Sequence, residues 1–258
     1  MKIVVLKISG KALKEFTTNI RYVNFLEKLK KYYDGVVIVH GAGNLISEWS
    51  AKLNVEKEFI NGQRKTTKDV MDVVAAVQSG LVNNKLTGFL NSNGLEAVGL
   101  TGIDRGFFTA EYFNKELGYV GKPKLTGSTK WIIKILKENV IPVFSSVSVD
   151  ESGNLMNVNA DIFTKEIAIA LKADTVLFVS DVDAIEIEGK AMNKISDAEI
   201  IKGIENGNIT DGMIPKLESS LELLNNAIRK VWVGNKLTEL RIGSSGIKNF
   251  NGTWIIKS

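Results

Sequence analysis

Short apolar runs rich in valine and isoleucine alternate along this chain with longer segments in which apolar residues return every three or four positions. The runs are Ile3 to Ile8, Val36 to Val39, Ala97 to Leu100, Ile141 to Phe144, Thr175 to Val179 and Lys230 to Val233. A short run without polar alternation reads as a strand buried on both faces, the condition of a parallel sheet covered by helices. The helical spacing predicts helices over Asn19 to Tyr33, Asn44 to Leu53, Lys68 to Ser92 with a break at Gly80, Ser128 to Asn139, Ala160 to Lys172 and Met213 to Asn226. Strands and helices in alternation predict an α/β fold, a three-layer αβα sandwich around a central, mostly parallel sheet.

The stretch from Arg105 to Lys124 breaks this rhythm. It carries Phe107, Phe108, Tyr112, Phe113 and Tyr119 with Gly106, Gly118 and Gly121, which suggests hairpins over the sheet edge and a wall for a substrate site. No repeat, low-complexity tract or Ser/Pro linker interrupts the chain, so residues 1–258 read as one domain whose lobes share a sheet.

Composition narrows the chemistry. With 44% apolar and 24% charged residues the 258-residue chain is an ordinary globular protein. Cysteine is absent and His40 is the one histidine, which excludes disulfides, Cys-based metal centres, a thiol nucleophile and any apparatus needing two imidazoles. The balance of 33 Lys+Arg against 29 Asp+Glu gives +4 without a basic block, which favours a small anionic substrate over nucleic acid. The apolar run at the N-terminus is interrupted by Lys7 and no stretch is long and apolar enough to span a bilayer, so a cytoplasmic location is expected.

Five segments at predicted strand ends or helix starts can carry chemistry. Lys7-Ile8-Ser9-Gly10-Lys11 offers two lysines and a close backbone approach to phosphoryl oxygens, or simply a surface lysine pair. His40-Gly41-Ala42-Gly43-Asn44 opens a helix whose free N–H groups suit an anion, with His40 itself read as structural. In Gly62-Gln63-Arg64-Lys65-Thr66-Thr67, Arg64 supplies a two-pronged fork for a carboxylate, and Thr66 or Thr67 can cap the next helix. Asn157 and Asn159 fall on one side of an extended segment, with Asp161 in the following first helical turn; substrate binding and helix capping are both open to them. Ser180 and Asp181 follow the fifth run, where a nucleotide contact is expected in a doubly wound sheet, and Gly212 to Lys216 opens a helix with a lysine against the dipole. The two common nucleotide fingerprints, G-x-x-x-x-G-K-[ST] and G-x-G-x-x-G, are absent.

In this order the segments resemble the amino acid kinase family, nearly end to end from Lys7 to Thr253. G-Q-R-K-T at 62–66, L-M-N-V-N-A-D at 155–161 and I-T-D-G-M-I-P-K at 209–216 carry the resemblance in combination, and they are most similar to the branch that acts on N-acetyl-L-glutamate. The resemblance implies phosphoryl transfer from ATP with Mg²⁺ to the γ-carboxylate of N-acetyl-L-glutamate, in arginine biosynthesis, with no metal cage built from protein alone. It implies Lys7 at the transferring phosphoryl, Lys216 on the ATP side and Asp161 orienting both. Gly10, Gly41 and Ala42 would supply amides, Arg64, Asn157 and Asn159 would hold the acceptor, and Ser180, Asp181, Thr210, Gly212, Met213 and Lys216 would meet the nucleotide. Residues 1–172 would bind acceptor and dimerise, and residues 173–258 would bind ATP. The chain departs from the family pattern at Ser9, Ala42 and Ala184, where glycine is usual. A kinase of carrier-linked aminoadipate or glutamate, and a ligand-binding module without activity, are the alternatives. With the first strand starting at Ile3, no N-terminal helix of the arginine-inhibited members is expected. That predicts a homodimer joined through the Lys68 to Asn93 region and insensitive to arginine.

Overall fold

The first apolar run, Ile3–Ile8 (β1), lies in the interior of an eight-stranded sheet. The structure, a computed structural model, describes residues 1–10, 12–209, 214–243, 246–248 and 251–258, with the backbone alone at 215, 216, 246 and 248. The other strands of the large sheet are Gly35–His40 (β2), Ala97–Leu100 (β5), Ile141–Ser145 (β8), Thr175–Val179 (β11), Lys194–Ser196 (β14), Lys230–Gly234 (β15) and Thr253–Ile256 (β18). Small sheets use Phe59–Ile60 (β3) with Gln63–Arg64 (β4), Ile185–Ile187 (β12) with Lys190–Met192 (β13), and Arg241–Gly243 (β16) with Gly246–Lys248 (β17). Phe108–Tyr112 (β6), Val120–Leu125 (β7), Ser148–Val149 (β9) and Leu155–Val158 (β10) close on one another as a four-stranded barrel. The α-helices are Leu13–Phe16 (α1), Ile20–Tyr32 (α2), Gly43–Lys52 (α3), Lys68–Val74 (α4), Asn83–Ser92 (α5), Lys130–Lys137 (α6), Ala160–Ala170 (α7), Asp197–Glu205 (α8) and Ile214–Asn225 (α9).

Across the large sheet the order is β14-β18-β15-β11-β1-β2-β8-β5, and every neighbouring pair is parallel except β15 with β18. Strand alternation divides the core into two layers. On one face Val4, Leu6 and Ile8 pack with Leu26 and Leu29 of α2, Val74 of α4 and Leu86 of α5. On the other, Ile3 and Val5 pack with Ile132 of α6, Ile167 of α7 and Leu223 of α9. Lys7 continues the second series, so the same period that buries Ile3 and Val5 delivers its side chain to the α7 side at the strand's carboxyl end. The three-layer sandwich read from the sequence is present.

One expectation is corrected and further elements are added. The Lys68 to Ser92 segment does not break at Gly80: α4 continues through a π-helix, Ala75–Val82, into α5. A glycine costs a helix interior only about 1 kcal/mol, and the wider π ring accommodates it within a continuous path. The Arg105 to Lys124 segment forms the expected hairpin, β6 antiparallel to β7. Its β7 also pairs in parallel with β10, which draws the hairpin into the barrel around Phe108, Ala110, Met156 and Val158. The sequence reading also lacked β14, β18, α1 and α8; α8 is announced by a capping box in which Ser196 and Glu199 satisfy each other's backbone. Among the described residues no helix is long and apolar enough to cross a membrane.

Candidate active site

The turns after β1, β2, β8 and β11 meet at the carboxyl end of the sheet, where a doubly wound sheet opens its crevice. Two clefts lie there. One, of about 340 Å³, is lined by Lys7, Gly10, Gly41, Ala42, Arg64, Asn157, Asn159 and Asp161, together with Ser47, Phe59, Gln63, Gln78 and Ser146. The second, of about 520 Å³, is lined by Ser180, Phe178, Val233, Phe113, Lys165, Glu218 and Glu222. Lys7, Gly62, Gln63, Asn159 and Asp161 belong to both.

On that shared wall Lys7 Nζ lies 2.8 Å from Asp161 Oδ1. Asp161 is held there because Asn159 caps α7, its Oδ1 accepting from the backbone N–H of Asp161 at 2.8 Å and of Ile162 at 3.4 Å. The capping reading of Asn159 and its place in the cleft hold together.

Gly10 is at a close approach of two turns: a Cβ there would sit 3.1 Å from the Gly43 backbone nitrogen. A side chain would push the β1 turn away from the start of α3. Ala42 is tolerated in the second turn, since its φ is −150°. No side chain caps α3, so its first-turn N–H groups remain directed at the cleft.

Arg64 is placed by a hairpin whose Asn61-Gly62 turn takes positive φ at both residues, 48° and 76°. Asn-Gly favours this two-residue turn because both residues tolerate the left-handed region. The guanidinium lies over the Phe59 ring, 4.8 Å from its centroid, and its Nη2 donates to Gly43 O at 2.9 Å and Ser47 Oγ at 2.7 Å. Nη1 is buried and has no partner among the described residues. Burial lowers the Arg64 pKa, a sign that the cation is desolvated without an anion beside it. Thr66 Oγ1 accepts from Asn157 Nδ2 at 3.0 Å and donates to Arg64 O at 3.0 Å, tying the two acceptor-side segments. Thr67, not Thr66, caps α4.

His40 is fully buried and structural. Its Nε2 accepts from Asn83 Nδ2 at 3.0 Å, which leaves Nδ1 to donate to Gly41 O at 3.3 Å. Burial pushes its pKa down to about 4 from 6.5. The unfolded chain therefore binds a proton between those values that the native state refuses, and stability falls as pH drops through that window. The loss amounts to about 3 kcal/mol when complete. Thermal melts from pH 7 to pH 4 should show a falling midpoint that is reduced in His40→Gln, while the pH–rate profile between 6 and 8 carries no histidine titration.

On the second cleft, Ser180 lines the wall and donates to Asp181 Oδ1 at 3.2 Å; Asp181 stands beside the cleft. Thr210, Gly212, Met213 and the side chain of Lys216 lie outside the described residues, though Lys216 is in the first turn of α9. The sequence reading missed Ser47, Gln78, Ser146, Lys165 and Glu222. Gln78 had a signal, a polar residue in the apolar stretch from Val73 to Val82: its Nε2 donates to Ser146 Oγ at 2.7 Å, and Ser146 donates to Val158 O at 2.6 Å.

The amino acid kinase family model matches residues 2–235 of this chain. The chain is 38% identical over 256 residues to the acetylglutamate kinase of Geobacillus kaustophilus, covering 98% of this chain and 94% of that protein. It is 35% identical over 229 residues to the acetylglutamate kinase of Campylobacter curvus, covering 88% and 81%. Among solved structures it is similar to smu.665 from Streptococcus mutans UA159, with a TM-score of 0.82, 28% identity and 99% of each chain covered.

Proposed function

The chain belongs to the amino acid kinase family, and from that membership we propose that it transfers the γ-phosphoryl group of ATP to the side-chain carboxylate of N-acetyl-L-glutamate, a step of arginine biosynthesis. The observation that carries the reading is the Lys7–Asp161 pair on the wall common to two clefts. A phosphoryl group passing between two substrates needs such a shared boundary, with cations at the point of transfer.

The acceptor cleft is lined only by residues between Lys7 and Asp161, which supports acceptor binding by residues 1–172, and α9 and β15 bring residues 173–258 to the nucleotide side. The α-carboxylate of the acceptor takes the unpaired Arg64 Nη1, and the γ-carboxylate faces the amides of Gly10, Ala42 and Gly43; the Gly41 N–H expected to join them is instead committed to Ile8 O at 3.1 Å, tying the β2 turn to β1. Asn157 and Asn159 flank the acylamino group. A carboxylate is ionised at neutral pH and attacks phosphorus without a general base, so catalysis rests on alignment and charge neutralisation. Asp161 accepts from Lys7 and holds its ammonium toward the transferring oxygens; Ser180 lines the nucleotide side, and Lys216, whose backbone lies in the first turn of α9, is the second lysine of the reading. No group of three or more His, Asp or Glu side chains among the described residues could hold a metal. Mg²⁺ would arrive as the nucleotide complex, held by phosphate oxygens and supplying further neutralisation.

An acceptor panel with ATP and hydroxylamine tests this. N-acetyl-L-glutamate should give hydroxamate well above glutamate, glutarate or carrier-linked aminoadipate; a different preferred acceptor would overturn the assignment.

A homodimer accompanies the reading. β5 is an edge strand of the large sheet, with Ala97, Val98 and Leu100 only half-buried, and the adjoining helical path leaves Ala76 and Gly88 exposed beside half-buried Leu81 and Phe89. An open apolar edge of this kind is usually covered. Light scattering should give twice the chain mass, and Phe89→Glu should give the monomer; a wild-type monomer would contradict it.

A further inference from the structure

Lys165 is a buried cation that the phosphoryl-transfer reading does not use. Its residue is 8% exposed, and its ammonium lies 2.6 Å from Glu222 Oε2 and 3.6 Å from Glu166 Oε1. It sits four residues after Asp161 on α7, one turn along the same face, and both side chains line the second cleft. Glu222 and Glu218 line the opposite wall from α9, again four residues apart. The bridge therefore joins the helix that carries Asp161 to the helix that carries Lys216 in its first turn.

Two physical consequences follow from that placement. The cleft side chains include three carboxylates, Asp161, Glu218 and Glu222, against the ammonium groups of Lys7 and Lys165. A polyanion entering beside Glu222 meets a neutralised carboxylate only while Lys165 is paired with it. In addition, the Lys165 end is buried and the Glu222 end is half exposed, so removing the lysine leaves an uncompensated carboxylate on the cleft, while removing the glutamate leaves the cation paired with Glu166 alone.

We propose that Lys165 is a positioning residue for the nucleotide: its bridge to Glu222 fixes α9, whose first turn carries Lys216, against α7 and removes a repulsive charge from the cleft. The proposal rests on the second cleft being the nucleotide site. It predicts a selective effect, because the acceptor cleft contains neither residue.

The test is calorimetric binding of a non-hydrolysable ATP analogue with Mg²⁺ to the intact protein, together with steady-state kinetics. Lys165→Met should weaken analogue binding by at least ~10-fold and lower kcat, with the acceptor KM within about 2-fold of wild type. Glu222→Gln, the milder change, keeps the cation and should weaken it only ~3-fold. The reversed pair, Lys165→Glu with Glu222→Lys, should recover most of the loss seen in Lys165→Met. Analogue binding within 2-fold of wild type in folded Lys165→Met, or a reversed pair no better than Lys165→Met, overturns the proposal. Failure of the wild type to bind the analogue at all would instead remove the nucleotide assignment of the cleft.

Discussion

Lys7→Ala is expected to lower turnover by ~10²-fold or more with the fold retained, the scale seen when a donor aimed at developing charge is removed. Among the described residues Lys7 is the one cation on both clefts, and its 2.8 Å contact with Asp161 fixes the ammonium before either substrate binds. Alanine keeps the strand, since the backbone ladders of β1 to β2 and β11 do not involve the side chain. The loss should appear mainly in kcat, because the charge being neutralised is largest in the transition state. Lys216→Ala should fall in the same range if that lysine completes the pair from α9. Steady-state kinetics on either variant with near-wild-type turnover would remove that lysine from the mechanism.

Arg64→Lys should raise the KM for N-acetyl-L-glutamate by ~10-fold or more while leaving the KM for ATP within about 2-fold. Lysine keeps the positive charge but cannot reproduce the planar fork. In the native protein one arm of that fork is committed to Gly43 O and Ser47 Oγ, and the other, Nη1, is the buried donor without a partner. A carboxylate bound to Nη1 relieves both the unmet donor and the desolvated charge, which is why loss of the fork should cost the acceptor selectively. Equal rises in both KM values would move Arg64 out of the acceptor cleft.

Part of the first cleft's lining was legible because those residues sit at strand ends or helix starts marked by small residues, whereas Ser47 and Gln78 lie inside helices and carry no such mark. Gly10, the Gly41 to Gly43 turn and the Asn157 to Asp161 segment are local signals, and the parallel sheet brings such strand ends together at one edge. Arg64 was legible as a fork but not as part of a hairpin, although Asn61-Gly62 is a strong two-residue turn signal. The π-helix was not legible, since Ala75 to Val82 has the composition of an ordinary helix and its wider ring is decided by packing of Gln78 and Asn83 against β8 and the segment after it. β18 was lost for a related reason: its antiparallel pairing with β15 and parallel pairing with β14 are long-range, and Thr253 to Ile256 alone is too short to declare itself. Lys165 and Glu222 are separated by 57 residues and meet only once α7 and α9 pack.

The most direct test of the central claim follows the oxygen that forms the new bond. With the γ-carboxylate of N-acetyl-L-glutamate labelled with ¹⁸O, attack on the γ-phosphorus of ATP makes a labelled carboxylate oxygen the bridge of the acyl phosphate. Hydroxylamine then attacks the carbonyl carbon, the C–O bond breaks, and phosphate leaves carrying that oxygen. Phosphorus NMR should therefore show one ¹⁸O in each phosphate released together with hydroxamate, and Lys7→Ala should slow the appearance of both products in parallel. Unlabelled phosphate from the wild-type enzyme would mean that water, and not the acceptor carboxylate, receives the phosphoryl group.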